Sequence, residues 1–528
     1  MRFRYPLICT VMLCLAAGAA GQGQVRDFRY ASGENPLQGM GNAAFLATLP
    51  EGGFSDARVF FSKENGALIS LEESPDSWSA GAGTESFRRI SDRIVFSGKL
   101  SYSYFRGLKM GGPILINPRT SAINFLEEDL STVGTKKRET YSLEGGISYS
   151  FSPRVSAGIK LDYTSADQTK FKDPRFLNTL MDLGVAPGVM VKCSDKFSIG
   201  TNLIYRHSIE QLSSGTFGTI DRQYFVLVDQ GGFFGSREEF VGDMGYVSLS
   251  NIRPLPDDRY GLSVQVAAGS GVKFAGEITG MWRRGSFGNR TSTSVVFCEF
   301  RGPEALLKSY LLIPSGNNLH KLELGAGMHM LSNYTNSYTY KAEMGQATVI
   351  EYQGQKETLS RMDVDARLGY TLEMGVGGFR PKWIFGASAD AFIRNQTTTI
   401  YPDYRNHNVL NVAAALNAER NISIPSSNLG IVADVLFAMG GGNPADDGTY
   451  TGGTSKVKSF DLWLNRQFEF DTAMRAGASL SVAWTWLGFK KLAPYIKVSD
   501  SFLSLFAAPE YLDGRFRNVA SVSVGCNF

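Results

Sequence analysis

This chain is poor in the residues that carry chemistry. Among 528 residues there are only four histidines, His207, His320, His329 and His407, and no two stand at a metal-ligand spacing. That excludes a zinc centre of ordinary pattern, and no cofactor is expected. Ser208 stands beside His207, but neighbours on a strand point to opposite faces, so the two cannot serve as nucleophile and base and no enzymatic activity is expected. Cysteine is scarce too. Of five, Cys9 and Cys14 fall in an N-terminal leader, which leaves Cys193, Cys298 and Cys526, an odd number that argues against a disulfide framework. Each of the three replaces an apolar residue in an alternating segment, where a thiol serves as a small hydrophobe. No run of about 18 apolar residues is present, so no transmembrane helix is expected. Neither sign of charge dominates: 53 Lys and Arg against 50 Asp and Glu leave +3, which gives no reason to expect nucleic acid as a partner.

What the chain has instead is alternation. In RETYSLEGGISYSFSPRVSAGIKLDYTS (Arg138 to Ser165), Tyr141, Leu143, Ile147, Tyr149 and Phe151 share one face, and Ser142, Glu144, Gly146, Ser148 and Ser150 share the other. A Ser152-Pro153-Arg154 turn leads to a return arm with Val155, Ala157, Ile159, Leu161 and Tyr163 on one side and Ser156, Gly158, Lys160, Asp162 and Thr164 on the other. Each arm has about the ten residues with which a tilted strand crosses a bilayer. Glycines sit inside these segments (Gly145, Gly146, Gly158), where a helix would avoid them.

Arg2 and Arg4, the apolar run Leu7 to Ala17 and the small residues Gly18 to Gly21 read as a signal peptide over residues 1–21. Residues 22–90 are irregular. Short strand-like pieces such as Arg58–Phe61 and Trp78–Gly83 are interrupted by Glu72 to Asp76, so a periplasmic or lumen-packed segment is expected there rather than spanning strands. Residues 91–528 read as the barrel. From Ile94 to Phe528, with one long alternation over Phe468–Trp486, roughly sixteen strands (fourteen to eighteen) are predicted, joined by short turns and long loops in turn. The fold class is all-β: a transmembrane antiparallel up-and-down barrel with short periplasmic turns and long extracellular loops, in the bacterial outer membrane. Trp383, Trp484 and Trp486 at one rim and Tyr102, Tyr104, Tyr163 and Trp282 at the other fit aromatic girdles against the expected partner, outer-membrane lipid.

The last residues, NVASVSVGCNF, place Ala520, Val522, Val524, Cys526 and the terminal Phe528 on one face. This resembles the insertion signal of outer-membrane barrels, and the resemblance implies that Phe528 is read by the barrel assembly machinery. The stretches ESFRRISDRIVFSGKLSYSYF (Glu85 to Phe105), KFKDPRFLNTLMDLGVAPG (Lys170 to Gly188) and GTNLIYRHSIEQL (Gly200 to Leu212) resemble a family of uncharacterised bacterial outer-membrane β-barrel proteins of about five hundred residues. The family has no established activity, so the resemblance implies location and architecture and no functional residue.

By parity the inward face carries Lys99, Glu144, Lys160, Asp162, Lys192, Arg206, Lys273, Glu277, Arg283, Glu323, Asp363, Asp365, Arg367, Asp390 and Asp434 as candidate lumen-lining residues. The signs are interleaved. A pore selecting one sign of ion would show a ring of the other, so the mixture points to a partly filled lumen through which a small polar solute passes. The alternative is a non-transporting scaffold or surface-binding protein whose loops meet a surface lipoprotein or enzyme. Phe176, Leu177, Leu180 and Met181 stand at helical spacing in the loop Ala166–Met181, as a short helix, a self-packed loop or a lumenal constriction. Gly231 to Gly235 in the loop Ser208–Asp258 would plug the lumen or dock a partner. Tyr334, Tyr338, Tyr340 and Tyr352 read as strand extensions above the membrane or as sugar-stacking faces, and Asp446-Asp447-Gly448 as a turn rather than a calcium loop.

Overall fold

The computed structural model describes residues 25–528 except 50–51, 129, 218–222, 241–246, 248–251, 290–294, 342–348 and 456; the expected signal peptide, residues 1–21, lies outside the described residues. Eighteen antiparallel strands form one barrel. Each pairs with its neighbours in sequence, and the last, Phe516–Asn527, closes on the first, Gly53–Gly66, with Ala57 opposite Cys526 and Phe61 opposite Val522. Connections at one end are short (151–154, 195–196, 316–317, 425–426), while those at the other include 111–133, 216–252 and 450–474. The short-turn end, where the barrel also starts and finishes, is therefore periplasmic.

Alternation sets which side of each strand meets lipid. Leu143, Ile147, Ile159, Leu161, Val264, Leu324, Val412 and Val524 are all exposed on the outer surface, and the polar residues between them face in. An apolar surface of this extent is stable only in lipid, and a closed barrel crosses lipid because every strand edge is paired. The protein is an outer-membrane barrel.

The sixteen strands read from Ile94 onward are all present, and two more precede them. Gly53–Gly66 and Asp76–Arg89 are wall strands, which corrects the reading of residues 22–90 as devoid of spanning strands. The signal of the second is weak because its outward positions Ala80 and Ala82 are small and its inward positions include Gly81 and Gly83, and that of the first because its outward face runs only through Val59 and Phe61 before Lys63. Three further readings are corrected. Ala166–Met181 is neither loop nor helix: strands Val155–Phe171 and Arg175–Ser194 run into a turn of three residues, with Phe176 and Leu180 facing in and Leu177 facing out. Phe468–Trp486 is not one strand; helix α1 (Asp461–Thr472) precedes strand Arg475–Trp486. Asp446, Asp447 and Gly448 lie on strand Ser427–Thr449, not in a turn.

The lumen is filled from both ends. Near the periplasmic end, residues 25–49 lie inside as a helical turn and two short 3-10 helices (Phe28–Gly33, Pro36–Gly39, Ala43–Thr48). Near the outer end a four-stranded inner sheet, Lys458–Ser459, Phe234–Glu239, Phe225–Asp229 and Asn124–Glu127 in spatial order, sits with α1. Its core of Ile114, Leu115, Phe125, Val226, Val228 and Phe240 packs on inward-facing Phe176, Leu212, Leu255, Phe287, Phe300 and Leu331 of the wall. Large apolar residues facing into a lumen are costly in water and favourable against such a plug.

Candidate functional site

Between these two fillings lies a cavity of about 760 Å³. Gly39 and Gly41 form its periplasmic floor, Pro118 to Asn124 and the α1 residues Leu464, Gln467 and Phe468 its outer roof, and the barrel its wall. The floor is fixed by polar contacts. Asn42 donates to Val189 O (3.0 Å), Thr201 O (3.1 Å) and Gln265 Oε1 (3.0 Å), and Gly41 N–H donates to the Glu277 carboxylate (3.1 Å). Arg380 grips Asp27 at 2.8 Å, and the Tyr30 hydroxyl donates to Glu419. Two strand glycines admit this segment: a Cβ at Gly158 would lie 2.5 Å from Ala44 N, and one at Gly188 would lie 2.4 Å from Asn42 Oδ1.

Among the predicted lumen residues, Lys160, Arg206, Glu277, Arg283, Asp363 and Asp365 line this cavity. Lys160 pairs with Asp162 (3.6 Å), and Arg206 forms a two-pronged pair with Asp182 (2.7 Å each). Lys99 pairs with Glu144 across adjacent strands (3.2 Å). Lys192, bound to Asp195 at 2.8 Å, and Lys273 line a separate recess at the periplasmic mouth. Glu323, Arg367 and Asp434 line another beside the N-terminal segment, with Arg367 3.6 Å from Asp390 and Asp434 accepting from Ser479 (2.6 Å).

The densest part of the wall was only partly read in the sequence, which offered Arg283, Asp363 and Asp365 but not their partners Asp257, Arg259, Glu304, His329, Arg361 and Arg394. Arg259 bridges Asp257 and Glu304 (both 3.3 Å), Arg283 holds Asp257 (2.7 Å), His329 lies between Glu304 and Asp365 (3.6 and 3.7 Å), and Arg394 holds Asp363 (2.7 Å) with Arg361 nearby (3.6 Å). Arg259, Arg361 and Arg394 stand just beyond the apolar runs that defined their strands. The strands continue past the lipid because their outer ends meet the plug, and extending the parity by one or two residues would have found all three.

Gly231 to Gly235 form the turn of the inner hairpin. Asp229 Oδ1 accepts from the N–H groups of Gly231 (2.9 Å) and Phe234 (3.2 Å), and burial pushes the Asp229 carboxyl up to about 6 against those bonds. Thr398 and Arg405 donate to the carbonyls of Gly231 and Gly232 (both 2.9 Å), so this turn plugs the lumen. His207 sits on the outer surface with Nδ1 2.9 Å from Asp258. Among the described residues no group of three metal-ligating side chains occurs. Chemically, the chamber offers paired charges of both signs and apolar patches: an arrangement for holding a polar molecule.

No curated protein matches this chain. Among solved structures, the chain is similar to the ferric preacinetobactin receptor BauA of Acinetobacter baumannii (8% identity, 91% of this chain and 80% of that one, TM-score 0.40). It is also similar to the outer membrane transporter YddB of Escherichia coli (9%, 90% and 81%, 0.41) and to the copper transporter OprC (9%, 89% and 80%, 0.35). Such a likeness says nothing of cargo. The family of unknown function DUF6850 matches residues 130–528, and the chain belongs to that family.

Proposed function

We propose that this barrel carries a small polar solute across the outer membrane through a lumen that is filled at rest. The observation that supports the reading is the central chamber: about 760 Å³, the scale of a small-molecule site, walled by Lys160, Arg206, Glu277, Asp363 and Asp365, with protein packed above and below. A structural filler would need no such compartment. The test is uptake of labelled sugars, amino acids and dicarboxylates into proteoliposomes. At least one class should enter faster than into protein-free vesicles, and Lys160→Trp, which narrows the chamber, should slow it. Entry of every class at the protein-free rate would refute transport.

One observation favours a second reading, a scaffold acting at the cell surface. Strands Asn318–Lys341 and Val349–Met374 have 24 and 26 residues, and the part beyond Leu331 extends about 33 Å at 3.3 Å per residue. Its tip carries Tyr338, Tyr340 and Tyr352 packed together. This arm would hold a surface lipoprotein or enzyme. Trimming it at the Ser337–Gly354 rung, beyond Leu359, which lines the chamber, and Asn333, which donates to Ala122 O in its roof (3.2 Å), should then abolish co-purification of that partner and leave solute uptake intact.

A further inference from the structure

The roof of the chamber is crossed by Asn117 to Ser121. Ile114, Leu115 and Ile116 before it and Ala122 and Ile123 after it are buried, so the chain is anchored on both sides, whereas Asn117, Arg119 and Thr120 are exposed. The wall grips this bridge through guanidinium groups. Arg394 donates to Arg119 O (3.1 Å), Arg283 to Thr120 O (3.0 Å), and Arg361 to Thr120 O and Ser121 O (3.3 and 3.1 Å). Three arginines thus converge on three consecutive neutral carbonyls. Their carboxylate partners are two, Asp257 on Arg283 and Asp363 shared by Arg394 and Arg361, so the trio is not neutralised one to one.

A guanidinium fork matches carboxylate and phosphate geometry, and pairing it with an anionic oxygen adds a charge–charge attraction that a neutral carbonyl lacks. The bridge carbonyls are therefore the weaker occupants of this position. Exchanging them costs only local movement, because the anchors on both sides keep their packing.

We propose that Arg283, Arg361 and Arg394 form a binding site for the oxyanion of a solute, a carboxylate or phosphate group, and that its arrival displaces the Asn117–Ser121 bridge. The proposal rests on the reading of the chamber as a solute compartment. Arg119 on the bridge pairs with Glu72 (2.9 Å) and Asp471 (3.2 Å), so displacement is transmitted to the loop before strand Asp76–Arg89 and to α1. Binding would thereby loosen three roof elements together.

The test uses the full chain with Cys193→Ser, Cys526→Ser and Pro118→Cys, a bridge position that is buried at rest, leaving Cys298 buried. Labelling by a water-soluble maleimide is followed in pyrophosphate, citrate or chloride at matched ionic strength. Pyrophosphate, citrate or both should accelerate labelling saturably, roughly five- to tenfold, the lower end of the usual coupling between sites. Acceleration by only one identifies phosphate or carboxylate as the group recognised. Arg361→Gln should raise the basal rate and remove the oxyanion dependence. Calorimetric titration of the unsubstituted protein, which needs no variant, should show saturable binding of the same anion. Equal labelling in all three salts, or no binding heat, would overturn the proposal. Because neutral-sugar uptake is measured separately, uptake without an oxyanion effect removes this site alone, and an oxyanion effect without uptake of any solute removes the transport reading.

Discussion

Among the described residues, the ion pair between Lys170 and Glu127 is the most deeply buried one between wall and plug: the two side chains are 0% and 1% exposed. It joins wall strand Val155–Phe171 to inner strand Asn124–Glu127. The Lys170 ammonium lies 5.7 Å from the centre of the Phe176 ring, and Glu127 Oε1 has no hydrogen-bond partner. Glu127→Gln keeps the shape and leaves Lys170 charged, buried and unpaired, a one-sided loss that typically costs about 3–5 kcal/mol. Replacing both, Glu127→Leu with Lys170→Met, removes the charge as well and is expected to be neutral or stabilising by about 1–4 kcal/mol. Opening of the plug is read by amide hydrogen exchange over residues 111–133, where a cost of about 4 kcal/mol corresponds to roughly a thousandfold faster exchange. The single variant should show that acceleration and the double variant should reverse it. Exchange in Glu127→Gln within twofold of the native chain would refute the reasoning, as would a double variant as fast as the single.

Asp229 gives the inner hairpin a pH dependence. With its carboxyl pushed up to about 6 in the fold and near 4 when exposed, the folded hairpin holds a proton that the opened one releases. Stability therefore falls as pH rises from about 4 to about 6, by on the order of 3 kcal/mol, and is flat above. Hydrogen exchange over 225–239 should be slower at pH 4.5 than at 7.5 after correction for intrinsic rates, and Asp229→Asn, which keeps the Oδ1 acceptor, should flatten the profile. Cysteine placed at Leu143 or Ile159 should be shielded by lipid, and at Lys160 it should react with a soluble reagent. At Ser148, whose hydroxyl donates to Ala44 O (3.2 Å) under the N-terminal segment, it should react only once residues 25–49 are removed. Reaction at the odd positions would reverse the register. Phe528 exchanges two backbone bonds with Ser55 (2.9 and 3.0 Å), the last rung of the closing seam. Deleting it should leave export intact and reduce the heat-modifiable, assembled form on gels; full assembly would deny it any role as a signal.

The wall was legible wherever several large outward side chains follow one another; Gly53–Gly66 has only Val59 and Phe61 before Lys63 breaks the face. Leu143, Ile159 and Val264 fix parity unambiguously because a slip of one residue would turn every one of them inward. Asp76–Arg89 escaped because Ala80 and Ala82 give lipid little area to bind. The plug was harder to read for a different reason: it is built from contacts distant in sequence, such as Asn42 with Gln265 and Arg361 with Ser121, that no local period encodes. Two signals were nevertheless present. Glycine at 158 and 188 marked close approach of another chain segment, and Phe176, Leu212, Phe287 and Phe300 are apolar on the inward face, where an open channel would be polar. Phe468 and Phe470 misled because the helix that bears them borders the alternating strand Arg475–Trp486 without a break in apolar character.

The account stands on a lumen that is filled at rest, and conductance in planar bilayers tests it most directly. An empty barrel of this strand number would hold an aqueous channel, as barrels of 16–18 strands do. Met110 and Gly134 pair across adjacent strands, so residues 111–133 can be replaced by a short Gly-Ser linker without disturbing the wall. The intact protein should give small or no steady conductance with little preference between cations and anions, and the linker variant should conduct more. A large, stable, porin-like conductance from the intact protein would contradict the filled lumen.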